Sequence, residues 1–354
     1  MKKSALRFLL LVLALSLLGL FFVFDASTVE SFKLFGHPYH FASQQALWLL
    51  VALVIASVAY FFNLEIWRRL ALPLYLLGLI GLFLPLIPGI GLRLNGASRW
   101  VSLFGYSFQP VEFFKFCFIN FYAHYLSKNQ HWWGFLFFLL WPSIILLIQP
   151  DFGSLLIILG SAMVMYFLSG VKWQTFLTLA LAALLISVAS VLLIPYRRQR
   201  LMTFFSQGEN LQTEGYHTHQ VLLALGSGSW LGRGIGNSQQ KYAYVPEASS
   251  DSIFAIIAEE LGFVGSSVIL LLLLTYFVLA RQMIKDVKLT DYQYLLFYGI
   301  LAWIALQMIL NLGAVVAILP LSGMPLPFFS QGGSALVSIL LASAILLNIS
   351  KSQS

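Results

Sequence analysis

The chain has 354 residues, of which 60% are hydrophobic and 9% charged, with a net charge of +7 and a mean hydropathy of +0.87. Soluble globular chains carry about 25% charged residues, so a soluble enzyme is excluded. At about 20 residues per membrane-spanning helix, the hydrophobic content allows about ten spans, and the placement of the scarce charges becomes informative. The basic surplus is explained by Lys and Arg retained at a cytoplasmic membrane face, and no nucleic acid partner is needed.

In chain order, apolar runs fall at 6–24, 44–63, 71–88, 110–127, 132–148, 154–169, 174–194, 256–279, 294–317 and 333–349. The first follows a basic start and continues to Phe24 with no small-x-small cleavage site, so it reads as an uncleaved span. With the N-terminus inside, eleven basic residues lie in inner segments: Lys2, Lys3, Arg7, Arg68, Arg69, Lys128, Lys172, Arg281, Lys285, Lys288 and Lys351. The short outer loops hold Lys33, Arg93 and Arg99. That asymmetry places both ends in the cytoplasm. The expected fold is an all-α integral membrane protein of about ten transmembrane helices. It forms one polytopic unit over 1–354, with a large extracellular loop at about 195–252 between helices 7 and 8.

NGASRW (95–100) places Arg99 and Trp100 at the outer interface. Trp there anchors to headgroups, and Arg99 can hold a phosphate. In QPVEFFKF (109–116), Glu112 and Lys115 share a helix face at i, i+3. They suit either a buried ion pair or the polar lining of a headgroup or ion path.

The outer loop carries Arg197, Arg198, Arg200, Arg233 and Lys241 against Glu209, Glu214, Glu247 and Asp251. Its glycine-rich stretch, GSGSWLGRGIGNSQQK (226–241), lacks the spacing and preceding strand of a dinucleotide site. Glycine there serves tight turns and close backbone approach. Arg233 and Lys241 suit either an anionic ligand or solvent. His37, His40, His217 and His219 have no convincing ligand spacing, and Cys117 is the one cysteine, so no histidine- or cysteine-held metal site is expected.

In VPEASSDSIFAIIAEELGFVG (245–265), Ser249 or Ser250 suits a helix cap, with Asp251 in the first turn. The alternative is that Asp251 acts as a general base at the membrane surface. Glu259 and Glu260, two turns deeper, call for polar partners or a water-filled cavity. The terminal stretch from Leu319 has Pro320, Pro325, Pro327, Gly332 and Gly333 at membrane depth. Irregular backbone there must be buried in protein or line a cavity.

NGASRW, QPVEFFKF, QPDFGS, GSGSWLGRGIGNSQQK, VPEASSDSIFAIIAEELG and GMPLPFFSQGGSAL, in that order over nearly the whole chain, together resemble the SEDS family (shape, elongation, division and sporulation). The QQKYAYVPEA run looks more like its FtsW/SpoVE branch than RodA. The resemblance implies a ten-helix glycosyltransferase that polymerises lipid II at the outer face of the bacterial cytoplasmic membrane, in division or cell-shape growth. It implies a class B penicillin-binding protein as partner, with other cell-wall assembly proteins. The family's essential aspartate falls on Asp251, its loop tryptophan on Trp100, and its polar pair on Glu112 and Lys115. This chain departs from the family at Ser249-Ser250, where His-Thr is usual, at Ser252, where Phe is usual, and at Gln331, often Tyr.

A lipid diphosphate leaves as an anion and needs no protonating acid, so one base, Asp251, is enough. Positive charge must stabilise the leaving group. Candidates for this and for substrate contact are Arg99, Arg197, Arg200, Arg233 and Lys241, with Glu247 beside them. A divalent cation (Mg or Mn) held by carboxylates is the alternative. Two rival readings are a lipid flippase, with Glu112, Lys115, Glu259 and Glu260 along its path, and a non-catalytic scaffold.

Overall fold

The computed structural model describes residues 3–94, 97–103, 106–193, 198, 214–242, 249–320 and 323–351. The helices are α1 (Lys3–Phe35), α2 (His40–Phe61), α3 (Leu64–Arg69), α4 (Ala71–Phe83), α5 (Pro110–Leu126), α6 (Trp132–Ile148) and α7 (Phe152–Leu168). They continue with α8 (Trp173–Leu193), α9 (Glu214–Ser227), α10 (Ile253–Ile284), α11 (Asp291–Val315) and α12 (Gly333–Ile349). Each of the ten apolar runs coincides with a helix. Four of these, α1, α2, α10 and α11, are long and apolar enough to cross a membrane.

Burial sorts the helices. In α5 and α12 nearly every residue is buried, the mark of a bundle centre. Against α5 pack α4, α7 and α11, and against α12 packs α2. Outward faces of α2, α4, α6, α8 and α10 expose Leu, Ile, Val and Phe, as a helix against lipid must. Such faces need no soluble partner, because hydrocarbon solvates them.

Two departures from the expected layout are local. A three-stranded antiparallel sheet, β1 (Gly91–Leu94), β2 (Ala97–Leu103) and β3 (Tyr106–Phe108), follows α4 and carries Arg99 and Trp100 on its middle strand. The sequence signal was present: Asn95-Gly96 is the dipeptide most favoured between hairpin strands. α1 also runs on to Phe35 rather than ending near Phe24, so Asp25 falls inside a helix and is 8% exposed.

The long helix α10 is broken at Gly262 (φ 67°, ψ −168°), a conformation that glycine adopts without a side-chain clash. The glycine-rich loop threads the break. The carbonyls of Glu259 and Glu260 accept from the amides of Arg233 and Gly234, both at 3.0 Å. The amides of Phe263 and Val264 donate to the carbonyls of Ser229 (2.9 Å) and Trp230 (3.1 Å). Four backbone groups at the interruption are thus paired with the loop, as buried backbone requires. A Cβ on Gly228 or Gly232 would run into the α10 backbone. Close approach is therefore what these glycines supply.

Candidate functional site

The site lies where the β2 strand, the turn before α7, the approach to α10 and the 323–331 segment converge. Asp151 caps α7: its carboxylate accepts from the Ser154 amide (3.2 Å) and hydroxyl (2.8 Å). Its Oδ1 lies 3.9 Å from Arg99 Nη1, and Arg99 Nη2 donates to the Pro150 carbonyl. Arg99 is thereby held from one side, while its Nε is buried with no hydrogen-bond partner among the described residues.

Asp251 does not sit in a helical first turn. α10 begins at Ile253 with Ser252 as its cap, and no side chain caps it. Of the two serines expected to cap it, Ser249 has its hydroxyl engaged elsewhere. Ser249 Oγ donates to Gln331 Oε1 (2.6 Å), and the Gln331 amide donates to the Ser249 carbonyl (2.8 Å). The Ser250 carbonyl accepts from Ser330 Oγ (2.6 Å). Ser252 Oγ is 2.8 Å from His217 Nε2 on α9. Two of the departures from the family pattern, Ser249 and Gln331, therefore meet in space. Asn311 Nδ2 of α11 donates both to the Asp251 carbonyl (2.9 Å) and to the Met324 carbonyl (2.7 Å).

The irregular 323–332 backbone is mostly buried in protein from Met324 to Ser330 and is held by side-chain amides and a serine hydroxyl. Gln307 Nε2 donates to the Pro325 carbonyl (3.0 Å). Gln45 Oε1 accepts from the Gly332 amide (3.2 Å), and Ser330 Oγ accepts from the Leu326 amide (2.7 Å). At its start is Gly323 (φ 65°), and a Cβ built there would lie 3.3 Å from Asp251 Oδ2 and 3.7 Å from Arg99 Nη1. An acid and a cation thus face one small space that a side chain would fill. Trp100, half-buried, follows Arg99 in β2 and pairs across the sheet with Leu92.

The other nominated residues lie elsewhere. Glu112 and Lys115 form a fully buried pair, Nζ to Oε1 2.8 Å, and Lys115 also donates to Gln307 Oε1 (2.8 Å). Gln307 in turn receives from Trp303 Nε1 (2.9 Å). The pair therefore ties α5 to α11 and, through Gln307, to the 323–331 segment.

Lys241 Nζ donates to Asp25 Oδ1 of α1 (2.9 Å) and Glu260 Oε1 of α10 (3.0 Å). Burial alone would lower the pKa of Lys241, but its hydrogen bonds to Asp25 and Glu260 outweigh that and hold it above the ordinary lysine value. Arg233 Nη1 lies 3.6 Å from Glu259 Oε1. Glu259 also accepts from Ser238 Oγ (2.5 Å) and from the amides of Gln239 (3.1 Å) and Gln240 (3.3 Å). Glu259 and Glu260 are at most 1% exposed, so they clamp the loop to α10 rather than line an open path. Arg197, Arg200 and Glu247 lie outside the described residues.

Among the described residues, no group of three or more His, Cys, Asp or Glu is gathered that could hold a metal ion. Residues the sequence reading missed are Asp25, Asp151, Gln307 and Asn311. Asp151 had a signal, since Asp followed three residues later by Ser at a helix start is a cap pattern.

The family model described as "Cell cycle protein", covering FtsW, RodA and SpoVE, matches residues 5–354. The chain is 36% identical over 349 residues to "Probable peptidoglycan glycosyltransferase FtsW" of Coxiella burnetii, covering 95% of this chain and 93% of that protein. It is 36% identical over 365 residues to "Stage V sporulation protein E" of Bacillus subtilis, covering 99% and 98%. Among solved structures, it is similar to a chain from "Structural coordination of polymerization and crosslinking by a peptidoglycan synthase complex". That match has a TM-score of 0.78 and 27% identity, covering 98% of this chain and 97% of that one. In fold it also matches the rod shape determining protein RodA of Thermus thermophilus, with a TM-score of 0.69 and 24% identity, covering 98% and 96%. Architecture, motif order and these likenesses converge: the chain belongs to the FtsW/RodA/SpoVE family.

Proposed function

We propose that this protein, a peptidoglycan glycosyltransferase of the bacterial inner membrane, polymerises lipid II at the outer membrane face, with Asp251 as general base and Arg99 as the cation at the leaving diphosphate. The observation that carries this is the convergence of Asp251 Oδ2 and Arg99 Nη1 on the space at Gly323. Of the nominated cations in the described residues, Arg233 and Lys241 are already matched to carboxylates at the loop clamp.

In the step, Asp251 takes the proton of the acceptor sugar hydroxyl. The hydroxyl oxygen bonds to the anomeric carbon of the diphosphate-linked sugar from the opposite face, giving inversion. The anomeric C–O bond breaks, and its electron pair leaves with the polyprenyl diphosphate. Arg99, held by Asp151 and Pro150 with Nε still to be satisfied, stabilises the developing charge, worth most in a partly desolvated site. Both termini lie in the cytoplasm and about ten helices span the bilayer, which sets Asp251 at the outer surface. A class B penicillin-binding protein cross-links the product, a reading supported by the likeness to a chain of a complex that joins polymerization to crosslinking.

The test is a gel. Purified protein, with and without its partner, is incubated with labelled lipid II. Wild type gives glycan polymer and Asp251→Ala gives none at equal fold stability; full polymerisation by the variant would overturn the assignment.

A further inference from the structure

At the far end of the bundle from Asp251 there is a cavity of about 450 Å³ that the glycosyl transfer does not use. It opens where α2 and α12 end and α3 and α11 begin. Its position across the membrane follows from α11. That helix reaches the cavity through Tyr292 and Gln293, and holds Asp251 through Asn311. At 1.5 Å per residue, that separation is roughly 30 Å, the thickness of a hydrocarbon core. On the topology proposed above, the cavity therefore sits at the cytoplasmic headgroup level.

Its walls are chemically divided. Arg68 and Lys351 bring positive charge, and Asn63 and Gln293 bring amides. Lys351 is pinned rather than loose: its ammonium lies 3.0 Å from the centre of the Tyr60 ring and donates to the Tyr60 carbonyl (3.1 Å). Arg68 is fixed by Glu65 at 3.3 Å, and Glu65 also meets exposed Arg69 at 3.5 Å. Among the lining residues, two cations, Arg68 and Lys351, thus stand against one carboxylate, Glu65. The lip is apolar and exposed, with Phe61 79% and Phe62 44% accessible. A soluble anion gains nothing from that lip, whereas acyl chains do. Basic pockets between helices on the cytoplasmic side are suited to anionic lipid headgroups.

We infer that this cavity binds the phosphate headgroup of an anionic phospholipid of the inner leaflet. Arg68 and Lys351 face the phosphate, and Phe61 and Phe62 lie along the acyl chains. The site is chemically separate from lipid II polymerisation.

The test is native mass spectrometry of the purified full chain with phosphatidylglycerol or phosphatidylethanolamine at equal concentration. Phosphatidylglycerol should be retained in preference, by about fivefold for each basic side chain engaged. R68Q/K351Q should fall to the phosphatidylethanolamine level. K172Q/K285Q, which removes the same charge from the same face outside the cavity, should keep the preference. Millimolar inorganic phosphate should not displace the lipid.

Equal losses in the two double variants would show surface charge alone, and displacement by phosphate would show a soluble-anion site. Either result, or no preference in wild type, overturns the inference. Melting temperature of R68Q/K351Q checks the fold; a variant that unfolds is replaced by K351Q alone, read the same way. The assay reads bound lipid and not polymer, so its failure and a failure of the Asp251 assignment are distinguishable.

Discussion

Two clusters of the molecule use the same residue types to opposite ends. In the loop clamp, Lys241, Arg233, Asp25, Glu259 and Glu260 meet one another, the Ser238 hydroxyl and backbone amides at 2.5–3.6 Å. In the Asp251 site, Arg99 is held from one side, keeps an unpartnered buried Nε, and shares an open space at Gly323 with a carboxylate. Both keep buried atoms without a hydrogen bond, Asp25 Oδ2 and Glu260 Oε2 in the clamp and Arg99 Nε at the site; what separates them is that the clamp's cations and carboxylates face each other, whereas the site's face an open space that a substrate can enter. Charge count alone does not separate the two.

Substitutions can break this contrast at graded cost. The largest effect is expected at Asp251. Asp251→Asn keeps the shape and removes the base, so polymerisation should fall about 10²–10⁴-fold, measured as glycan product per unit time, with melting temperature unchanged. Next is Arg99→Ala, expected to lower turnover about 10²–10³-fold, with Arg99→Lys recovering part of it. If Arg99→Ala instead raises only KM, the guanidinium binds substrate but does not act at the leaving group.

At the clamp the readout moves from rate to stability. Lys241→Met leaves Asp25 and Glu260 buried without their cation and should cost about 3–5 kcal/mol, seen as a lower melting temperature. The triple variant Lys241→Met, Asp25→Asn, Glu260→Gln should regain most of it. Loss of turnover at full stability in Lys241→Met would dissolve the distinction between the clusters. Smallest is the Ser249–Gln331 contact. A double-mutant cycle with Ser249→Ala and Gln331→Ala should give a coupling of about 0.5–1.5 kcal/mol in thermal or denaturant unfolding.

The helices were legible because each run of apolar residues is a local property of the chain, and every run became a helix. The Asp251, Arg99 and Trp100 nominations came from motifs in order, also a local pattern. What remained hidden depends on distance in sequence. Lys241 and Asp25 are 216 residues apart, and Lys115 and Gln307 are 192 apart. No spacing rule connects such pairs. Asp25 read as the end of a span, because a carboxylate inside a long apolar helix makes sense only once its lysine is known. Gly262 carried no visible signal of its own either. EELGFVG reads as continuous helix, and only the glycine-rich loop that pairs with the freed groups makes a break affordable.

That break has a mechanical meaning. The segment from Ile253 to Leu261 is bonded to the loop across Gly262 and is no longer a rigid extension of the rod that crosses the bilayer. Its residues from Ile253 to Glu260 are all buried in protein, and the Asp251 carbonyl just ahead of them is held by Asn311. Beyond Gly262 the same helix exposes Phe263, Val264, Val268 and Leu271, so the end that carries Asp251 and the end that faces lipid are fixed by different contacts.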